Sequence, residues 1–184
     1  LHNWEDTPPT RRQLEQVRRY ADHAGRLSGE TAHALILKAR VLEWDLFLNG
    51  EDKHKQNTLD LLYKKAARLQ PASVDVWLSL IRSKIQRREF DGEFEYFVRQ
   101  ATTAGPFNEQ ANLTLARVLL NDWQDINAGT AQLLMLHARR ALNFNHGYAI
   151  FRYARQVNKL ELLCSISRVA GSAVSTEYCS NSES

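Results

Sequence analysis

Tryptophan and proline return along this chain at nearly one interval: Trp44 and Trp77 are 33 residues apart, and Pro71 and Pro106 are 35 apart. The residues between them return in the same order. Trp44 is followed by Phe47 and Leu48, then by Leu59, Tyr63 and Ala66, closing on Leu69-Gln70-Pro71. Trp77 is followed by Leu80, then by Phe90, Phe94, Phe97 and Ala101, closing on Gly105-Pro106. A bulky first-helix residue fills the groove of a partner helix, alanine lets two helices approach, and proline ends the second helix for want of an N–H. Each unit therefore reads as helix, turn, helix, stop. Such units bury their apolar faces by stacking on one another.

The rest of the chain continues in that frame. A third unit opens at Asn108 with Leu113, Leu115, Ala116, Leu119 and Leu120, and its second helix covers about 130–144 through Leu133, Leu136, Ala138 and Ala141. It has no closing proline; Asn145-His146-Gly147 is expected to stop it by a left-handed turn. Upstream, Thr7 or Thr10 caps a helix ending near His23, and Gly25 with Gly29 frames the turn into a helix over 31–49. Two short helices, 148–157 and 159–169, cap the far end. From Gly171 the composition turns to Ser, Asn, Thr and Glu, which predicts a disordered tail over 171–184 after one helical domain over 1–170. The expected fold is all-α, a right-handed α-solenoid of antiparallel hairpins with about three degenerate repeats plus capping helices.

Charge and cysteine content narrow the function. Lys plus Arg exceed Asp plus Glu by only 24 to 21, a net +3, which is little for a protein that grips nucleic acid. No apolar run reaches the roughly 18 to 20 residues needed to cross a bilayer, since Lys38, Arg40, Glu43 and Asp45 interrupt the most apolar stretch. The chain opens at Leu1 rather than Met, reads as a fragment or processed product, and leaves room for a signal or anchor helix upstream. Cys164 and Cys179 are too few for a zinc site. In an oxidising compartment they pair and tie the tail to the last helix; otherwise Cys164 is buried in Leu162-Leu163-Cys164 and Cys179 is free.

No catalytic constellation is legible, and no cofactor or metal is expected. The eight glycines form no phosphate loop. The six histidines, His2, His23, His33, His54, His137 and His146, lack ligand spacing and are expected at the surface or in turns. Glu51-Asp52 and Glu93 with Glu95 do not face each other across a cleft. Arg82, Lys84, Arg87 and Arg88 lie at the end of a predicted helix, where the carbonyl dipole favours cations without need of a ligand; the alternative is a phosphate or acidic partner. Asn112-Leu113-Thr114 matches a glycosylation acceptor but falls inside a predicted helix. Trp44, Trp77, Phe94, Phe97, Trp123, Tyr148 and Phe151 have helical spacing and are assigned to core packing, not to a sugar platform. The repeat frame places Asp45, Asn49, Asp75, Arg82, Gln86, Gln110, Arg117 and Asn121 on the concave face. These mixed polar groups are the candidate partner contacts, suited to a peptide or protein segment more than to a phosphate backbone.

The segment from Trp44 to Pro106 resembles tetratricopeptide repeats, whose members are mostly protein-binding scaffolds. More narrowly, Leu42-Glu43-Trp44, Gly105-Pro106-Phe107-Asn108-Glu109, Leu119-Leu120-Asn121-Asp122-Trp123 and Leu162-Leu163-Cys164 resemble the VpsP-type polysaccharide-biosynthesis family over about 30–169. That resemblance implies an accessory role in bacterial exopolysaccharide and biofilm production, an N-terminal membrane helix and a periplasmic repeat domain. It carries packing and turn motifs and no catalytic residues. The expected function is a non-enzymatic scaffold binding protein partners of an envelope polysaccharide assembly. The alternatives are a periplasmic or cytoplasmic adaptor or peptide-holding subunit of a pilus or secretion system and, remotely, a sugar-modifying enzyme.

Overall fold

The computed structural model describes residues 10–28, 30–50, 52–143, 147–170 and 178–179, with the backbone alone at 24–28 and 169–170. Among these residues the fold is all-α, with no strand. The chain divides into two compact units, Leu1–Ser83 and Lys84–Ser184.

The first unit holds α1 (Arg11–Ser28), α2 (Ala32–Asn49), α3 (Lys53–Leu69) and most of α4 (Val74–Gln86). Thr10 opens α1 by a reciprocal pair: its hydroxyl accepts the Gln13 N–H at 3.3 Å, and Gln13 Oε1 accepts the Thr10 N–H at 2.8 Å. Thr7 lies outside the described residues. α1 does not stop near His23 but runs through Gly25 to Ser28, longer than the sequence predicts. One mid-helix glycine costs only about 1 kcal/mol relative to alanine. Against that stands the burial of Leu14, Val17 and Ala21 on Leu37, Val41, Trp44 and Leu48 of α2. Gly29, the other expected turn residue, lies outside the described residues.

Thr31 caps α2 as its sequence position predicts, accepting the Ala34 N–H. Gly50 ends that helix with a φ of +89°, a conformation that favours glycine. Asp52 then caps α3, accepting from the His54 and Lys55 N–H groups, and α3 packs along α2 as a hairpin. Pro71 follows the end of α3, and its carbonyl accepts the Trp77 indole N–H at 2.7 Å. Trp77 itself is buried, as are Tyr63 and Ala66.

The second unit holds the last turn of α4, then α5 (Gly92–Ala104), α6 (Glu109–Asp122), α7 (Ala128–Leu142), α8 (Gly147–Gln156) and α9 (Leu160–Ala170). Asp91, Asn108 and Asn127 cap α5, α6 and α7, each accepting the N–H three residues on. α4 and α8 end in the same motif. Arg88 and Asn158 both take a φ of 55°. The N–H groups of Arg88 and Glu89 return to Ile85 and Lys84, and those of Asn158 and Lys159 return to Arg155 and Ala154. α6 packs along α7 as a hairpin, while α5 packs on α7, α7 on α9 and α6 on α8.

Several expectations change here. Gly147 is not a left-handed stop: it opens α8, and a Cβ there would lie 2.7 Å from the Leu142 carbonyl oxygen, so only glycine fits. Asn145 and His146 lie outside the described residues. Trp123 and Tyr148 are not core residues but 45% and 42% exposed. Trp123 sits just past α6, and Tyr148 on the first turn of α8 lies beneath the Arg152 guanidinium. Phe94, Phe97 and Phe151 do form the core. Cys164 and Cys179 form a disulfide, and Tyr178 stacks on Phe151 with ring centroids 5.0 Å apart, so these two residues of the expected tail are packed against α8 and α9. Residues 171–177 and 180–184, the remainder of that tail, lie outside the described residues.

Candidate functional site

The eight polar candidates fall on α2, α4 and α6. Asp75, Arg82 and Gln86 on α4 have the same i, i+7, i+11 spacing as Gln110, Arg117 and Asn121 on α6, so each trio shares one face of its helix. Asp75, Gln86, Gln110, Arg117 and Asn121 are exposed. Arg82 is half-buried, donating to Ser79 Oγ at 3.0 Å while the Ser79 hydroxyl donates to the Asp75 carbonyl.

Asp45 and Asn49 come together on α2, the Asn49 amide donating to Asp45 Oδ1 at 3.0 Å. Asp45 is buried and already engaged, pairing with Lys55 at 2.7 Å and Arg18 at 3.3 Å. The hydrogen bond from Lys55 is the main reason its carboxyl lies below the usual range. Any partner contact at Asp45 must compete with these pairs.

On α6, Arg117 and Asn121 converge on Tyr153 of α8. The Arg117 guanidinium lies 5.0 Å from the Tyr153 ring centroid, and the Asn121 amide and the Tyr153 hydroxyl exchange hydrogen bonds at 2.7 and 3.0 Å. The repeat frame did not select Tyr153, because its role depends on α8 packing against α6, a tertiary fact without a local signal.

Three further polar clusters are absent from the sequence reading. In the first unit, Glu43 of α2 lies near Arg82 and beside Tyr63 of α3; burial pushes its carboxyl up, and the Arg82 charge opposes that. Burial, then the Glu43 charge, pushes the Tyr63 hydroxyl up. That hydroxyl is buried and makes no hydrogen bond of good geometry.

The second cluster changes the reading of the basic run as helix-end cations held by the dipole alone. Lys84 is buried, and its ammonium meets Asp91 at 2.8 Å and both Glu89 and Glu93 at 3.1 Å. Burial opposes its charge, but these carboxylates outweigh burial and hold the ammonium above its ordinary range. The left-handed turn at Arg88 folds residues 89–93 back over the end of α4, which brings the three acids to one cation. Arg87 pairs with Glu89, and Arg88 with Asp125 and Asp122.

The third cluster corrects the expectation that the histidines lie at the surface. His137 on α7 is fully buried. Its Nδ1 lies 2.7 Å from Asn112 Oδ1, and its Nε2 lies 2.8 Å from Thr102 Oγ1. The Asn112 amide nitrogen donates to the Asn108 and Pro106 carbonyls, which fixes Oδ1 as acceptor and places the ring proton on Nδ1. Burial, and secondarily the Arg140 charge, pushes the imidazole down to about 4. Asn112, buried and fully engaged, is a packing residue and not a glycan acceptor.

Elsewhere, α1 presents a shallow groove lined by Arg12, Gln16, Arg19 and Tyr20. Among the described residues no group of three or more His, Cys, Asp or Glu could hold a metal ion, and no helix is long and apolar enough to cross a membrane. Comparison of the chain with protein-family models, with curated proteins and with solved structures gives no match.

Proposed function

We propose that the chain is a non-catalytic scaffold, a right-handed α-solenoid of tetratricopeptide-like hairpins that binds protein partners. On this reading it serves as an accessory factor in bacterial exopolysaccharide biosynthesis or export. The observation that carries the scaffold reading is the exposed polar trio Gln110, Arg117 and Asn121 on one face of α6, a spacing that Asp75, Arg82 and Gln86 repeat along α4. Stacked hairpins use such a face for extended contacts. Supporting the solenoid is the alternation in the second unit, where α5, α7 and α9 pack in series and α6 packs on α8. The polysaccharide setting rests on the resemblance of the packing and turn motifs. A periplasmic location, with an inner-membrane anchor upstream, is favoured by the Cys164 to Cys179 disulfide, since such bonds persist in oxidising compartments.

A pull-down from envelope extract tests the reading, comparing the chain with an Arg82→Glu, Arg117→Glu double variant. Polysaccharide-assembly proteins retained by the chain and lost by the variant support it. Pilus or secretion components captured instead transfer the scaffold to that machinery, and retention unchanged by the variant removes the face from the account.

A further inference from the structure

The second unit separates its charges. Glu89, Asp91 and Glu93 gather on Lys84, Glu89 also pairs with Arg87, Glu95 pairs with Arg99, and Asp122 and Asp125 take Arg88. These carboxylates are therefore spent on neighbours. The opposite holds where α6 meets α8. The α8 sequence contains Arg152 and Arg155 and no acid, and α6 has no acid between Glu109 and Asp122. Arg117 and Arg152 are exposed and, among the described residues, form no ion pair; each lies over a tyrosine ring instead, at 5.0 Å from Tyr153 and 5.5 Å from Tyr148.

A guanidinium stacked on a ring is held in place, while its N–H edge stays open to a carboxylate in bidentate geometry. Beside Arg117 the Asn121 amide is steadied by the Tyr153 hydroxyl, and Gln110 lies on the same face of α6. Amides of this kind meet the main chain of an extended segment. On α6 the single exposed cation, Arg117, lies between the amides Gln110 and Asn121, which suits a carboxylate set against main-chain groups more than the unbroken charge of a phosphate backbone.

The geometry points to the α6 and α8 face as a docking surface for an acidic, extended peptide segment of a partner protein, with Arg117 and Arg152 taking its carboxylates. This rests on the scaffold reading and adds the chemistry of the partner.

The test is fluorescence anisotropy with a short Asp/Glu-rich peptide, its Asn/Gln counterpart, an oligothymidylate of equal length and phosphatidylglycerol vesicles. The expected result is binding of the acidic peptide about ten-fold tighter than its amide counterpart, weakened about ten-fold by Arg117→Glu or Arg152→Glu and steeply by salt. Both arginines are exposed, so the variants keep the fold, which circular dichroism checks. Equal affinity for the two peptides, indifference to both substitutions, or tighter binding of the oligonucleotide or vesicles would overturn the proposal. Equal peptide binding that Arg82→Glu abolishes removes the acidic specificity and leaves the scaffold standing. Absence of binding to either peptide, joined to an empty pull-down, removes both.

Discussion

The Trp77 indole N–H donates to the Pro71 carbonyl oxygen at 2.7 Å, so the residue that follows the end of α3 also seats the anchor of α4. The two markers that set the period in the sequence thus meet in one contact. Trp77→Ala removes buried ring packing and is expected to cost roughly 3 to 5 kcal/mol in urea denaturation. Trp77→Phe keeps most of the packing and leaves the Pro71 oxygen unpaired, for a loss of about 1 to 3 kcal/mol. Near-neutral values for both would place the anchor elsewhere.

His137 makes stability depend on acidity in a defined window. An unfolded histidine titrates near 6.5, whereas the buried ring stays neutral to about 4. Between those values the unfolded chain binds a proton that the folded chain does not, so stability falls as pH drops through the window and levels off below it. This contribution is roughly 3 kcal/mol. In His137→Gln the loss between pH 7 and 4 is expected to shrink by a corresponding amount, read by urea melts at several pH values. In the native chain an imidazole resonance titrating near 6.5 at this position would contradict the assignment.

Asp91 has two separable jobs. Its Oδ1 caps α5 by accepting the Phe94 N–H at 2.9 Å, and its Oδ2 takes the Lys84 ammonium at 2.8 Å. Asp91→Asn keeps a cap and loses the charge, and Asp91→Ala loses both. The first is expected to cost about 1 kcal/mol, the second about 2, after allowing for solvent screening of this exposed carboxylate. Equal losses would assign the whole effect to the Lys84 pairing, and a neutral Asp91→Asn would assign it to the cap. Against the opposing effect of burial, the Lys84 hydrogen bond holds the Asp91 carboxyl below its usual range, and Arg87 first, then Lys84, does the same for Glu89; that contribution is present above the unfolded carboxylate range and lost as pH falls below it.

The first unit and the helix ends are legible in sequence where a single side chain dictates the outcome. Thr31 and Asn108 cap helices where polar side chains precede apolar periodicity, and Pro71 with Trp77 marks a turn. The rest depends on packing that no local pattern encodes. α1 runs through Gly25, past its expected end near His23, because a single glycine costs a helix only about 1 kcal/mol and does not stop it. Lys84 looks like a helix-end cation until the turn at Arg88 brings three acids to it. His137 looks solitary because Asn112 and Thr102 arrive from other helices. Of the candidate site, the helix faces are legible, while the Tyr153 partner of Arg117 and Asn121, and the internal pairs that occupy Asp45, are not.

The Cys164 to Cys179 disulfide closes a loop with a sequence separation of 15. In a chain-entropy estimate, a loop of that size contributes about 3 kcal/mol. Cys179→Ser is therefore expected to lower stability by roughly that amount under oxidising conditions. A reductant should bring the native chain to the level of the variant and leave the variant unchanged. A variant as stable as the oxidised native chain would show that the bond adds nothing to the fold.

The most direct measurement is site-specific photocrosslinking in cells that natively express the chain, with a benzophenone amino acid placed at Gln86, Gln110 or Asn121, or at exposed Tyr96 of α5 as the control. The account predicts adducts with a protein of the polysaccharide assembly from the first three positions and none from Tyr96. Adducts from Tyr96 alone, or none from any position while the chain is folded and expressed, would contradict the claim that this chain works by holding a partner on that face.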